Sequence, residues 1–366
     1  MSSFHADVFS DLTVDHVVFY VSDLESKARV LTEGFGLGVV GVSTASDSSD
    51  SRALASSDIL VVLSEPRGEN HPGTAYLDQH GDGVADIALG APDAAAAFAE
   101  AVRRGARPVS EPVEQDGFVT ASIMGFGDVV HTFVQRPDGG RRGDLPAFDS
   151  SGAPRAAGEV DLGKIDHFAV CLEAGQLEPT VEFYEQVLDF RTIFEERIVV
   201  GAQAMLSKVV QSASGHVTLT LIEPDVTRDS GQIDDFLKNH GGAGVQHIAL
   251  TTGDIVRTVG TLGERGIPFL STPGAYYDLL VERMRPDRHE VEDLRRLSLL
   301  VDEDHDGQLY QIFTRSAHPR NTYFWEVIER AGARTFGSGN IKALYEAVEQ
   351  QRNAAFEAEN GSGEAR

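Results

Sequence analysis

The chain repeats itself, and that repetition limits its fold more than any other feature. Val14–Ser22 (VDHVVFYVS) returns as Ile165–Glu173 (IDHFAVCLE), and Leu60–Pro66 (LVVLSEP) as Leu219–Pro224 (LTLIEP). Tyr76–Leu89 aligns with Phe236–Leu250 after a one-residue insertion. Ala94–Gly105 and Ile255–Gly266 both read as amphipathic helices closed by glycine, each followed by a short segment with proline. Matches kept in the same order define an α+β unit built twice, with halves of roughly 150 and 200 residues. The join, 136–146 and 150–158, is rich in Gly, Pro, Ser and Arg, as suits a surface linker. The expected division is a first domain over 1–148, a linker over 149–163, a second domain over 164–356 and a frayed tail over 357–366.

The halves differ in their chemistry. Asn321–Arg330 reads as a strand, rich in aromatic and β-branched residues, with Glu326 at its centre. A carboxylate among apolar neighbours is costly unless something positive meets it, and no Lys or Arg lies beside it within the strand. Two histidines in similar strand settings, His167 and His247, complete a set of two imidazoles and one carboxylate. That donor set, with open positions left over, is the facial triad of non-haem iron(II); zinc, manganese or nickel use the same donors. In the first half His16 remains, Asp86 stands where His247 has its counterpart, and no strand resembles YFWEVIER. One half is therefore expected to keep the chemistry and the other to serve structure. His131, His240, His289, His305 and His318 read as surface or turn residues. Asp302–Gly307 (DEDHDG) lacks the spacing and closing Glu of a calcium loop and reads as a turn.

Composition excludes several partners. The 57 acidic against 31 basic residues give a formal charge of −26, which repels nucleic acid. No apolar run of about 18 residues offers a membrane span, and residues 1–16 lack the pattern of a signal peptide. The single cysteine, Cys171, lies in an apolar run and is expected to be a packed, unpaired thiol, consistent with the cytoplasm. An anionic substrate would need positive charge supplied locally.

Six segments carry a resemblance: IDHFAV, GAGVQHIAL, PGAYYDLL, LVDEDHDGQLYQIFT, YFWEVIER and FGSGNIKALYEAVE. On them the chain resembles the 4-hydroxyphenylpyruvate dioxygenase family. The resemblance implies an α+β fold of duplicated vicinal-oxygen-chelate βαβββ modules. The second half would enclose an Fe(II) site in an open β-barrel, with a C-terminal helix over it. It places the iron ligands on His167, His247 and Glu326, the polar groups that orient substrate on Ser207, Gln232, Gln246 and Gln311, and an aromatic wall on Phe313 and Phe336. It implies 4-hydroxyphenylpyruvate and dioxygen as partners, and a homodimer as a family-level expectation. Thr220, Ile222 and Ile341 depart from the members that make homogentisate. There they resemble the branch of the family that hydroxylates the benzylic carbon of the same substrate, giving (S)-4-hydroxymandelate, which feeds antibiotic assembly. Homogentisate formation is the alternative; a catechol-cleaving oxygenase or a non-catalytic binding protein of the same fold stand further off. Helix 339–352 is expected over the site with Phe336 and Ile341 facing in, either as a lid or permanently docked.

Overall fold

The computed structural model describes residues 8–43, 48–149, 160–337, 339–340 and 342. Ile341, most of the 339–352 helix, much of the linker and the tail lie outside these residues.

Two curled sheets hold the strands. The first contains β1 (Thr13–Tyr20), β2 (Gly38–Ser43), β3 (Ser49–Ser56), β4 (Ile59–Pro66), β5 (Gly83–Gly90), β6 (Pro108–Gln115), β7 (Phe118–Met124), β8 (Val130–Gln135) and β9 (Phe148–Asp149). The second contains β10 (Ile165–Cys171), β11 (Arg191–Val200), β12 (Gln203–Gln211), β13 (Thr218–Pro224), β14 (Gly244–Thr251), β15 (Leu300–Glu303), β16 (Gln308–Phe313) and β17 (Phe324–Ala331). Their orders, β6-β7-β8-β5-β1-β4-β3-β2-β9 and β15-β16-β17-β14-β10-β13-β12-β11, superpose strand for strand apart from β9. In both, two parallel pairs flank a central antiparallel one: β1 with β4 and β5 with β8, then β10 with β13 and β14 with β17. The α+β expectation of duplicated vicinal-oxygen-chelate modules therefore holds, and the repeat runs deeper than sequence shows, with two βαβββ units in each half.

The helices lie between these strands: α1 (Leu24–Arg29), continued by a π-helical turn at Val30–Gly34, α2 (Pro72–His80), α3 (Ala94–Arg103), α4 (Leu177–Leu188), α5 (Gln232–His240), α6 (Ile255–Glu264), α7 (Gly274–Arg283) and α8 (Val291–Leu297). Local chemistry sets their starts. Asp93 and Asp254 cap α3 and α6 by accepting the amides of Ala96 and Arg257. Alternation does the rest. On β10, Phe168 and Val170 enter one hydrophobic core that runs through both halves, while Ala169 and Cys171 face the curl of the second sheet.

No strand of the first half resembles YFWEVIER in sequence, yet one takes its place in the sheet. β8 occupies the place of β17, with Thr132 where Glu326 stands and Arg136 where Arg330 stands. Tertiary position preserved the strand while its sequence diverged. The histidine expectation is corrected. His131, His240 and His318 are buried, because each finds a hydrogen-bond partner inside: His131 the hydroxyl of Tyr184, His240 the carbonyl of Gly242, His318 the amide of Asp82. The partners of His131 and His318 come from distant parts of the chain, while His240 uses a carbonyl two residues on and stacks on His80 of the first half. No described helix is long and apolar enough to cross a membrane.

Candidate metal centre

His167, His247 and Glu326 come from three neighbouring strands, β10, β14 and β17. The register explains why they meet. His167 lies opposite Ala249, and Ala249 opposite Glu326, so the three form one row across the sheet with the smallest side chain in the middle. Strands are about 4.8 Å apart, so the two long side chains lean together over the alanine methyl. His247, two residues before Ala249, closes the group. Nε2 of His167 lies 3.5 Å and Nε2 of His247 3.3 Å from Oε2 of Glu326. All three residues are buried, and their donor atoms lie within 4.8 Å of one another. Ligands on one octahedral face at bonds of roughly 2.1 Å stand roughly 3 Å apart, so these donors fit a divalent ion after a small contraction. They are also the group of this kind found among the described residues.

The surroundings prepare the donors. Nδ1 of His167 donates to Oδ1 of Asp166 at 2.8 Å, which leaves the Nε2 lone pair facing the site. Arg330 grips the Asp166 carboxylate with Nε and Nη2, both at 2.8 Å, and its Nη1 donates to the carbonyls of Ala333 and Thr335. Nε2 of Gln311 donates to Oε1 of Glu326 at 2.7 Å, and Oε1 of Gln311 accepts from Nδ2 of Asn340 at 2.8 Å. The strand that carries Glu326 is thus tied to Asn340. Burial alone would raise the Glu326 carboxyl, but the His167 and His247 imidazoles hold it below the usual carboxylate range. Burial pulls His167 down and is outweighed by the carboxylates of Glu326 and Asp166, which raise it; on His247 burial prevails. A buried carboxylate that draws a proton onto its neighbour is asking for a cation, and a divalent ion takes the proton's place.

A cavity of about 30 Å³ adjoins the donors. Ser207, Thr220, Ile222, Gln246, Gln311, Phe313 and Phe336 line it together with the three donors and Ile198, which sequence reasoning had not singled out. Gln232 is not in that lining. It is the first residue of α5. Ile341 lies outside the described residues. Thr220 stands out chemically: its Oγ1 is a buried side-chain oxygen with no hydrogen-bond partner among the described residues. Such an orphan costs about 1–3 kcal/mol unless a ligand satisfies it. The volume of the cavity is two to three times the roughly 10–15 Å³ one water needs, so a ring-bearing ligand must displace part of the wall. Phe336, packed perpendicular to His167 at 5.1 Å, is part of that wall.

The first half keeps the frame without the donors. Arg136 grips Asp15, and Asp15 accepts from Nδ1 of His16, as in the second half. Thr132 instead donates to Asp86, and Leu145 and Phe148 pack with Ala53, Leu60 and Val62 inside the curl. The Asp-His dipeptide and the strand-ending Arg, present in both repeats, were the sequence signal for the orienting pair.

Residues 13–139 and 164–312 match the model of the Glyoxalase/Bleomycin resistance protein/Dioxygenase superfamily. The 4-hydroxyphenylpyruvate dioxygenase of Dictyostelium discoideum is 34% identical over 358 residues, covering 92% of this chain and 97% of that protein. That of Caenorhabditis elegans is 31% identical, covering 94% and 93%. Among solved structures, a triple mutant of 4-hydroxymandelate synthase from Streptomyces coelicolor is 41% identical with a TM-score of 0.83, covering 93% of this chain and 98% of its own. Dioxygenases of the 4-hydroxyphenylpyruvate dioxygenase family are non-haem iron enzymes, and the His-His-Glu group has the donor set they require. On its sequence likeness, its doubled fold and its buried triad, the chain belongs to the 4-hydroxyphenylpyruvate dioxygenase family.

Proposed function

We propose that the chain is a 4-hydroxymandelate synthase, converting 4-hydroxyphenylpyruvate and dioxygen to (S)-4-hydroxymandelate and carbon dioxide. Iron(II) held by His167, His247 and Glu326 supplies the positive charge that receives the 2-oxo acid and the redox chemistry with dioxygen. Asp166 keeps His167 in the tautomer that presents Nε2, and Gln311 holds one oxygen of Glu326 so that the other faces the ion. Phe313 and Phe336 exclude water and give the ring an apolar wall. Ser207 and Gln246 offer hydrogen bonds around it.

The observation that carries this reading is the β13 wall. Thr220 and Ile222 line the cavity, and the Thr220 hydroxyl has no partner among the described residues. A hydroxyl on this wall can receive the polar end of the substrate. Ile222 and Ile341 in place of polar or aromatic groups shift the ring so that the benzylic carbon, not the ring, meets the oxidant. A displacement of about 1 Å changes reactivity by about a hundredfold, so few side chains suffice. The identity to a 4-hydroxymandelate synthase, higher than to the dioxygenases cited above, supports the same reading.

The second reading, homogentisate formation, is favoured by the names of the curated relatives. Incubation with 4-hydroxyphenylpyruvate, iron(II) and air, followed by chromatography, decides between them. 4-Hydroxymandelate with one carbon dioxide per dioxygen is expected; homogentisate as the main product overturns the proposal.

A further inference from the structure

β17 has a second cavity behind it. Successive side chains of a strand face opposite ways, and while Glu326 lines the metal cavity, Trp325 lines a separate cavity of about 170 Å³ between the two halves. An apolar void of about 150 Å³ is enough to bind benzene. Aromatic rings surround this one. Phe19 lies 5.6 Å from Tyr323 and 5.9 Å from Trp325, and Phe35 lies 5.5 Å from Trp325, between ring centres. Val30 and Leu31 of the π-helical turn form part of the wall. Such turns are rare and frequent at functional sites.

The charge of the lining is opposite to that of the molecule. In a chain with 57 acidic and 31 basic residues, this cavity is lined by Lys27 and Arg315 and by no acidic residue. Aromatic cages commonly take cations, but that place is filled: the Lys27 ammonium lies 5.6 Å from the Tyr323 ring centre and is paired with Asp82 at 3.0 Å. Arg315 is different. It is exposed, its Nε donates to the Phe269 carbonyl at 3.1 Å, and no carboxylate pairs with it among the described residues. A guanidinium presented at an aromatic cavity suits a planar anionic group attached to a ring.

We infer that this cavity is a second ligand site, for a monocyclic aromatic carboxylate whose ring lies among Phe19, Phe35 and Trp325 and whose carboxylate meets Arg315. The substrate and product proposed above belong to this class, but the inference does not rest on them, because every feature it uses lies outside the metal cavity. The site is nevertheless close to the metal centre. Phe324 lines the cavity and stacks on His247 with 5.0 Å between ring centres, so an occupant bears on the strand that carries Glu326.

The chain contains one tryptophan, Trp325, so its emission reports on the cavity directly. The experiment titrates metal-free full-length protein with phenylacetate, following fluorescence and heat together. A saturable change in both is expected, with phenylacetamide binding at least tenfold more weakly. Arg315→Glu and Ala317→Phe, both at exposed positions on the cavity wall, should each weaken phenylacetate at least tenfold while circular dichroism and metal affinity stay as in the parent. Absence of saturable binding overturns the inference. So does binding that survives both substitutions unchanged, since phenylacetate would then lie elsewhere, and so does equal affinity for phenylacetamide, since no anion would be recognised. Phenylacetate binding is read without iron and without turnover, so failure here leaves the proposed reaction standing.

Discussion

Ala249 decides whether the triad can close. It separates His167 from Glu326 in the row across β10, β14 and β17, and its methyl is buried against Leu309, Ile328 and Ala333. Added methyl groups would occupy the space over which the two donors lean. Ala249→Val should weaken metal binding at least tenfold, read by titration with iron(II) or cobalt(II). Ala88→Val provides the control. Ala88 holds the same position opposite His16 and is equally buried, so the packing cost of about 1–3 kcal/mol is matched while metal affinity stays within twofold. Asp86 makes a different residue-scale prediction. Burial pushes its carboxyl up to about 6, and hydrogen bonds from Thr132 only partly offset this. The fold favours the protonated form, so the stability it contributes is present below the ordinary aspartate range and is lost as pH rises through about 6. Asp86→Asn should therefore gain about 1–2 kcal/mol in urea unfolding at pH 8 and nothing at pH 4. The gain falls short of the full shift because the side chain is half-buried.

At the scale of elements, the turn Asp302–Gly307 acts as a clamp. Oδ1 of Asp304 accepts the amides of Asp306 and Gly307, closing the hairpin of β15 and β16. Its Oδ2 accepts those of Arg334 and Thr335 at 2.7 and 2.8 Å, and Asp302 accepts the amide of Gly339 at 2.9 Å. The hairpin therefore holds the segment that carries Phe336 against His167 of the candidate metal centre. Gly337 lets that segment turn: its φ is +68°, and a Cβ there would fall 2.5 Å from Oε1 of Gln311. Partial burial raises the Asp304 carboxyl, but the amides of Thr335, Arg334 and Asp306 hold it well below the usual range. The clamp thus acts above ordinary aspartate pKa values and is lost as pH falls through the depressed one. Asp304→Ala should speed tryptic cleavage after Arg334 at least fivefold at pH 8 while metal affinity changes less than twofold. Unchanged cleavage would mean the segment is held by other contacts.

Over the whole molecule, the two halves are not independent beads. One hydrophobic core includes Phe19 and Phe35 from the first and Trp325 and Val327 from the second. His80 and His240, equivalent residues of the repeat, stack across the join at 4.3 Å, and Nδ1 of His80 meets the carbonyl of His240 at 2.8 Å. Arg104 of the first half pairs with Asp189 of the second at 2.6 Å. Residues 160–366 produced alone would expose the apolar side chains that Phe19 and Phe35 now cover. They should lack a cooperative thermal transition and bind no metal tightly; a folded, metal-binding half would show that the shared core is dispensable.

The sequence by itself determined the doubling and singled out His167, His247 and Glu326 as candidate donors. The first is a property of which segments recur, the second of which residue types sit in apolar strands. The tertiary structure alone decided that Ala249 leaves the gap, that Asp166 and Arg330 orient His167, that Thr220 is left without a partner among the described residues, that β8 replaces β17 in the first half, and that three histidines are buried. Each depends on what lies across a strand pair or across the two halves. Strand register sets those neighbours, and a slip of one residue would turn every side chain to the other face.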